Sequence, residues 1–311
     1  MEPYPLTFEP ILKAKVWGGQ TLKNFGKNIP EGVSIGESWE LADLPITIQD
    51  GQSIISNGPL AGQPLDSNFP LLIKFLDACD NLSVQVHPSV AYAASHPEAH
   101  LKSEAWVILD TTPEGLIYVG LKDGVTEESL RDAIEQNTVP DLLRAIEVKK
   151  GECYYLPSGT CHALGAGVLV AEVQTPSDTT FRIWDWGRTH REMHVDQAME
   201  CIDFDAPLLS IANPEPLQCG DFLTTHFIDT PYFSIERLEA ITDTTLDLVI
   251  DDTPAVFMVV QGHAKISHTI PVDAPTGTTI LLPVGVTNAT MAMPKGCAIL
   301  RFDLPEEKRY A

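Results

Sequence analysis

The sequence predicts a mainly β fold, in which two related domains each form a sandwich or barrel of antiparallel strands and the first carries a small helical insertion. Three observations support this prediction. Short apolar runs bounded by Gly and Pro recur along the chain, which is typical of strands. One segment of helical spacing interrupts them. One Gly/Pro frame occurs twice, which indicates an internal duplication.

The predicted strands are apolar runs of roughly four to eight residues that lie between turn-forming residues. Their spacing suits antiparallel strands in a sandwich or barrel. The runs are LLIKFLD (71–77), NLSVQVH (81–87), AWVIL (105–109), LIYVG (116–120), ECYYLP (152–157), GVLVAEVQ (167–174), AVFMVVQG (255–262) and TTILLPVG (278–285).

The helical insertion is predicted around residues 125–150. Leu130 and Ile134 are spaced for one face of a helix, and the apolar residues after Pro140 are spaced for another. Because Pro interrupts helices, we expect two short helices that break near Pro140. Residues 89–100 are predicted to add a further helical turn or two.

The duplicated frame is a Gly, five residues, a Pro, one residue, a Gly, two residues and a polar residue. It occurs as Gly151, Pro157, Gly159 and His162, and again as Gly277, Pro283, Gly285 and Asn288. The recurrence predicts a first domain over residues 1–230 and a second, over 231–311, without metal ligands. We expect the chemistry to lie in the copy that ends in His162.

Composition restricts the partners. The 311-residue chain carries a formal net charge of −23, which argues against nucleic acid, whose binding depends on cationic contacts to phosphate. No apolar run is long enough for a membrane helix, and the N-terminus has no signal-peptide pattern, so a cytoplasmic location is expected. The six cysteines form no C-x-x-C pair and are expected to be reduced. The sequence leaves the oligomeric state open.

Four polar residues on separate predicted strands form a candidate metal site. Side chains alternate along a strand, so Gln85 and His87 share one face, and polar residues on an inward face are costly unless they bind something. With Glu104 and His162 they give nitrogen and oxygen donors without sulfur, which suits catalytic zinc, iron or manganese rather than structural zinc. Each residue alone is more often a core or surface residue, but together the four favour a metal site.

The frame at residues 151–162 also matches the second conserved motif of the cupin superfamily, a jelly-roll β-barrel fold. Five further segments closely resemble the type I mannose-6-phosphate isomerase family in its short bacterial form: VWGG (16–19), IGESWELAD (35–43), FPLLIKFLDACDNLSVQVHP (69–88), KSEAWVIL (102–109) and LPSGTCHALGAGVLVAEVQTPSDTTFRIWDWGR (156–188). The resemblance implies two cupin-like jelly-roll domains and one Zn²⁺ per chain. It also implies a sugar-phosphate substrate and the interconversion of mannose 6-phosphate and fructose 6-phosphate through an enediol.

The resemblance assigns roles residue by residue. The zinc ligands fall on His87, Glu104, His162 and Gln85, although short members can coordinate zinc without the Gln. Substrate-binding positions fall on Lys74, Ser83 and Arg182, and catalytic positions on Arg182, Glu172, Lys102 and Asp178. Some members carry a His just before the Lys of the K-x-E segment. Here that position is Leu101, which argues against a His proton shuttle there.

Two other functions are compatible with parts of the pattern. A non-catalytic sugar-binding or regulatory protein would use the same scaffold, but it would not require every ligand and cation to be present. A cupin Fe(II) oxygenase usually needs a ligand set richer in His than Gln85 and Glu104 provide. The sequence therefore favours a metal-dependent aldose–ketose isomerase.

Overall fold

The structure is a computed structural model that describes residues 2–45, 51–65, 67–206 and 213–305. Its strands are β1 Leu6–Glu9, β2 Ile11–Gly19, β3 Ile35–Leu41, β4 Ile54–Ile55, β5 Leu72–Ala78, β6 Val84–Val86, β7 Glu104–Thr111, β8 Leu116–Leu121, β9 Leu143–Glu147, β10 Cys153–Leu156, β11 His162–Leu164, β12 Val168–Gln174, β13 Phe181–Trp184, β14 Leu217–Cys219, β15 Phe222–Asp229, β16 Ser234–Ala240, β17 Thr244–Leu248, β18 Ala255–Gln261, β19 His263–Ser267, β20 Val272–Pro275, β21 Thr279–Leu282, β22 Ala289–Met293 and β23 Ala298–Asp303. The helices are α1 Val90–Ser95, α2 Glu127–Gln136 and α3 Val195–Cys201, with 3₁₀ turns at Thr21–Phe25, Gly58–Leu60 and Val139–Leu142.

The strands form two pairs of antiparallel sheets, which confirms the mainly β prediction. The first pair has strand orders β10-β7-β12-β5-β2-β3 and β13-β6-β11-β8-β9. The second has orders β14-β15-β16-β23-β18-β21-β1-β4 and β17-β22-β19-β20. These are open sheets rather than closed barrels, an arrangement compatible with the two-sheet jelly roll.

Three apolar layers hold the sheets together. One lies between the two sheets of the first pair and includes Trp106 and Val119, and a second lies between those of the second pair. A third joins the outer face of the six-stranded sheet, through Phe75, to the eight-stranded sheet, through Phe302. Because both faces of β5 and β12 are buried, these strands are almost continuously apolar.

The N-terminal strand belongs to the second pair of sheets. Leu6 of β1 pairs with Leu281 of β21, and β4 extends the same sheet by pairing with β1. At the other predicted boundary, β15 pairs with β16 across residue 230. The division of the chain at residue 230 remains a prediction.

The helical insertion is partly as expected. The first helix is α2, where Thr126 and Ser129 cap each other's backbone amides in a capping box, which ties down the free N–H groups at the helix start. The second predicted helix is wrong. Pro140 lies in a 3₁₀ turn, and the chain then becomes β9, which pairs with β8 and so satisfies its backbone in a sheet.

The remaining helices are short. The predicted turn at 89–100 is confirmed as α1, where the Ser89 side chain accepts a hydrogen bond from the Tyr92 amide. Helix α3 was not expected, and it buries Met199 and Cys201. No helix within the described residues has the length and apolar character needed to cross a bilayer.

Both copies of the duplicated frame have the same backbone conformation at their glycines. The φ angles are 93° at Gly151 and 92° at Gly277, and 87° at both Gly159 and Gly285, in the left-handed region that favours glycine. The amide of Gly151 donates to Ile108 (2.9 Å), as the amide of Gly277 donates to Val259 (2.7 Å). These matched turns position the strand or loop that comes directly after each frame.

Candidate active site

Three buried side chains meet between the two sheets of the first pair. His87 directly follows β6, Glu104 begins β7 and His162 begins β11. The turn at 157–159 ties two of them together, because the amide of Gly159 donates to the carbonyl of His87 at 3.3 Å. The candidate ligand atoms of the three residues all lie within 4.8 Å of one another.

Backbone carbonyls orient both imidazoles. Nδ1 of His87 lies 3.2 Å from the carbonyl oxygen of Thr179, and Nδ1 of His162 lies 2.8 Å from that of Thr160. With the proton on each Nδ1, that nitrogen donates to the carbonyl and leaves the Nε2 lone pair free. This is the usual arrangement of a histidine that binds a metal through Nε2.

The Nε2 atoms converge on the carboxylate of Glu104. His87 Nε2 lies 3.3 Å from Oε2 of Glu104, and His162 Nε2 lies 3.2 Å from Oε1. Within the described part of the chain, His87 Nε2 and both Glu104 oxygens are buried and make no well-aligned hydrogen bond, although Lys102 Nζ lies 2.8 Å from Oε2 of Glu104. Imidazole lone pairs that face a buried carboxylate are costly unless a cation lies between them, so these residues fit a divalent cation.

The protonation states suit metal binding. Burial and, after it, the nearby charge of Lys102 lower the pKa of His87 to about 3, so its imidazole is neutral. Burial alone would raise the pKa of Glu104, but Lys102 and His87 hold it well below its ordinary value. A neutral imidazole and an ionised carboxylate are the ligand forms that metals require.

Gln85 lies beside the three residues. Its Nε2 atom is 3.3 Å from His162 Nε2, and its Oε1 accepts a hydrogen bond from Ser83 at 3.4 Å. Rotation of the amide group by half a turn would exchange these two atoms and present the oxygen on the side of His162. The position of Gln85 is therefore compatible with the expected fourth ligand.

A cavity of about 350 Å³ lies beside this cluster, since it is lined by Gln85, which contacts His162, and by Lys102, which contacts Glu104. The six cationic residues that line it are Lys13, Lys15, Lys74, Lys102, Arg182 and Arg191, and the three acidic ones are Glu37, Glu172 and Asp178. The cavity thus carries an excess of positive charge in a chain whose net charge is −23. Local cations of this kind attract anions against the overall field.

Glu172 lies on the buried wall of the cavity. Its carboxylate accepts a hydrogen bond from Trp106 Nε1 at 2.8 Å and lies 3.0 Å from Nζ of Lys74. Lys74 also donates to Gln174 at 2.7 Å. Burial would lower the pKa of Lys74, but Glu172 and Glu37 raise it above its ordinary value, so the ammonium group of Lys74 stays charged.

The other expected site residues line the same cavity. Lys102 lies 2.8 Å from Glu104, Ser83 is buried, and Asp178 is exposed. Arg182 donates from Nη1 to the carbonyl of Glu192 at 2.7 Å, while its buried Nε has no hydrogen-bond partner in the described residues. The structure therefore brings together all the residues that the sequence singled out.

Sequence reasoning missed three charged residues of the cavity: Lys15, Glu37 and Arg191. Glu37 is ion-paired with Lys15 at 2.7 Å. Burial would raise the pKa of Glu37, but Lys74 and Lys15 lower it to about 2. The alternation of charged residues in LKAK and GESWE was the available signal. Arg191 lies in an irregular segment, which gives no such signal.

Leu101 occupies the position before the Lys of the K-x-E segment, where some family members carry a histidine, and His100 precedes it. Thr175 Oγ1 donates to the backbone carbonyl of Leu101 at 3.0 Å. His100 lines a different cavity together with Asp43 and Phe69. Among the described residues, His100 is therefore not part of the lining of the cavity beside the metal cluster, and it does not take the place of that histidine.

These features define a class of protein: a two-unit β-sheet protein of the cupin type, with a buried cluster of side chains that could hold a metal ion and, beside it, a cation-lined cavity. Comparison with known proteins narrows the class. Residues 6–155 match the family model described as phosphomannose isomerase type I, catalytic domain. The chain belongs to the type I phosphomannose isomerase family.

Individual relatives of the chain are named as members of the same family. The chain is 38% identical over 259 residues to mannose-6-phosphate isomerase ManA of Bacillus subtilis, covering 76% of this chain and 80% of that protein. It is 35% identical over 254 residues to mannose-6-phosphate isomerase of Streptococcus mutans, covering 75% and 78%. The crystal structure of the mannose 6-phosphate isomerase from Bacillus subtilis superposes with a TM-score of 0.84 at 28% identity, covering 96% of this chain and 99% of that one.

Proposed function

We propose that the chain is an enzyme that interconverts mannose 6-phosphate and fructose 6-phosphate, and that it depends on one Zn²⁺ per chain. The observation that carries this proposal is the buried cluster of His87, Glu104 and His162 beside a cavity whose lining has an excess of positive charge. Membership of the family and the names of the relatives supply the substrate. We propose residues 1–230 as the catalytic unit and a cytoplasmic location.

We assign the proton transfer to Glu172. Isomerisation removes a proton from C2 of the open-chain aldose and returns it to C1, and a carboxylate held near both carbons can do both. Trp106 and Lys74 fix the Glu172 carboxylate from two sides. Asp178, at the exposed side of the cavity, is the second candidate.

Lys102 and Arg182 are assigned to the substrate oxygens. Both line the cavity, and cationic donors there can assist ring opening and neutralise the negative charge that develops on O1 and O2. Ser83 would add a neutral hydrogen bond. Lys74 is already ion-paired with Glu172 and Glu37, which favours Arg182 over Lys74 as the binder of the phosphate.

His87, Glu104 and His162 would hold the metal, with Gln85 as the proposed fourth ligand. Two imidazoles and a carboxylate suit zinc, and the absence of cysteine from the set suits a catalytic rather than a structural ion. When bound, a divalent metal would supply positive charge beside the substrate oxygens.

The test is an isomerase assay on purified protein with fructose 6-phosphate as substrate. We expect mannose 6-phosphate as product, loss of turnover after chelation and recovery on addition of Zn²⁺ at one equivalent. Full turnover by protein shown by metal analysis to be metal-free would refute the metal dependence. Zinc binding without any turnover would instead favour a sugar-binding protein on the same scaffold.

A further inference from the structure

The cavity contains an arginine to which no role has yet been given. Arg191 lines it beside Arg182, in the segment between β13 and α3. Its side chain is 22% exposed, so it is neither buried in the core nor a freely solvated surface group.

A buried carboxylate fixes the guanidinium of Arg191. Its Nε donates to Oδ2 of Asp185 at 2.7 Å, and its Nη2 donates to Oδ1 of the same carboxylate. Asp185 is shared, because Arg188 also donates to it from Nε and Nη2, at 3.1 and 2.8 Å. Arg188 has a second carboxylate partner in Asp80 at 3.1 Å, whereas both hydrogen bonds of Arg191 in the described part of the chain are to Asp185.

The guanidinium of Arg191 keeps a free donor. Among the described residues, its Nη1 has no hydrogen-bond partner. The Nε of Arg182 has none either, but it is buried and therefore out of reach of a ligand. The two side chains are close enough that, after burial, the charge of Arg191 is the next cause of the lowered pKa of Arg182. Two like charges that repel each other across a cavity are stabilised by an anion between them.

The lysines of the cavity floor are less suited to that role. Lys74 lies within 3.7 Å of acceptors on Glu37, Glu172 and Gln174, and Lys102 is 2.8 Å from Glu104. An ammonium group has three protons to donate, and those of Lys74 already have partners. A phosphate monoester dianion is better matched by guanidinium groups with free donors.

We propose that Arg191, held in place by Asp185, binds the phosphoryl group of the substrate together with Arg182. This assignment rests on the proposed isomerase function for the identity of the sugar, but not for the anion site. It predicts that Arg191 distinguishes phosphorylated from unphosphorylated hexoses. Arg188, which shares Asp185 but does not line the cavity, provides a matched control.

The experiment is calorimetric titration of the zinc-loaded protein with inorganic phosphate, which requires no turnover. We expect Arg191→Ala to weaken phosphate binding by about 10-fold or more, as for loss of a charge-assisted hydrogen bond, and Arg188→Ala to leave it unchanged. Arg191→Lys keeps the charge without the two-point contact to Asp185, so it should fall between wild type and Arg191→Ala. Unchanged phosphate affinity in both Arg191 variants, or equal weakening by Arg188→Ala, would overturn the proposal.

Steady-state kinetics add a second readout. Arg191→Ala should raise KM for fructose 6-phosphate by a larger factor than it lowers kcat, while calorimetric affinity for unphosphorylated fructose stays at the wild-type value. A fall in kcat alone would contradict a binding role. Failure of the isomerase proposal would appear as absent turnover in wild-type protein, whereas failure of this one would appear as unaltered phosphate binding.

Discussion

The two copies of the Gly/Pro frame have the same backbone but different side chains. In the first copy, Leu156 of β10 pairs with Glu104 of β7, and in the second, Leu282 of β21 pairs with Ala255 of β18. An Ala therefore stands where the first copy has its metal-binding carboxylate. On their opposite edges, β7 pairs with β12 and β18 pairs with β23, and each of these pairings contains a register shift. The two copies therefore share this irregularity as well.

The histidines are replaced as well. The amide of Gly159 donates to His87, whereas the amide of Gly285 donates to Ile250, so an Ile takes the place of one imidazole. Asn288, which is exposed, takes the place of the buried His162. The second copy thus has the framework of the site without the three donors.

The comparison extends to two charged strand partners whose order is reversed. In the first copy, Lys74 of β5 is the strand partner of Glu172 of β12. In the second, Glu236 of β16 is the strand partner of Arg301 of β23. The fold accepts either polarity at this layer, so the chemistry depends on a few side chains placed on the scaffold and not on the scaffold itself.

The largest expected effect comes from making the first copy resemble the second. His162→Asn removes one of three converging donors, so we expect metal affinity and isomerase activity each to fall by more than about 100-fold, beyond what loss of an outer-shell partner costs. Metal analysis and turnover measure the two losses. The reciprocal change Asn288→His should leave one metal per chain, and a second bound ion would contradict the comparison.

Next is the proton-transfer residue. Glu172→Gln keeps the shape and the Trp106 contact but removes the base, so kcat should fall by about 100- to 10,000-fold while the metal content stays at the wild-type value. Arg301→Gln changes the equivalent residue of the second copy and should leave kcat unaltered. Retention of full activity by Glu172→Gln would exclude this residue as the base.

Glu37, which lies beside the Lys74–Glu172 ion pair, and Glu236, the strand partner of Arg301, should respond oppositely to pH. The pKa of Glu37 is about 2, below its ordinary value of 4.5. The ionised Glu37 therefore adds on the order of 3 kcal/mol to the free energy of unfolding. This contribution is complete above pH 4.5 and is lost as the pH falls through 2. Denaturation at several pH values should show that Glu37→Gln is destabilised at about pH 7 and approaches wild type in acid.

Glu236 provides the contrast. Burial raises its pKa, with partial compensation from Arg301, so the folded state binds this proton more tightly than the unfolded state and loses stability as the pH rises. Glu236→Gln should therefore cost no stability at about pH 7. If Glu236→Gln lost as much stability at about pH 7 as Glu37→Gln, the two acids would have the same electrostatic role, which would contradict this prediction.

The smallest effect concerns the shared turn. A Cβ on Gly159 would lie 3.0 Å from the Cys201 carbonyl oxygen, and one on Gly285 would lie 3.2 Å from Pro3 Cγ, both at a φ of 87°. Alanine at either position should reduce the free energy of unfolding by about 1–2 kcal/mol. Only Gly159→Ala should also lower kcat, because its turn positions His162. An equal fall in kcat in Gly159→Ala and Gly285→Ala would argue against a specific role of the first turn in positioning His162.

Much of the site can be read from local sequence. Side-chain alternation along β6 places Gln85 on the same face as Ser83, and the Gly/Pro frame marks His162, so the resemblance and the residue pattern lead to the same cluster. Glu37 and Arg191 were missed for different reasons. The contribution of Glu37 depends on the distant pairing of β3 with β5, and that of Arg191 depends on a buried Asp185 in a segment without periodicity.

The fold was less predictable where a local pattern has two solutions. The apolar residues after Pro140 suit a helix in isolation, but the free edge of β8 provides backbone partners, and β9 forms instead. The place of β1 was also beyond local reasoning, because its partner β21 lies at the opposite end of the sequence.

The pairing of Leu6 with Leu281 has a consequence for synthesis. Strand β1 leaves the ribosome long before its partner β21, because the whole first pair of sheets is translated between them. The first pair of sheets can therefore assemble on the nascent chain before the eight-stranded sheet can close. Such long-range pairing slows folding, and in the interval it leaves an unpaired strand at risk of aggregation.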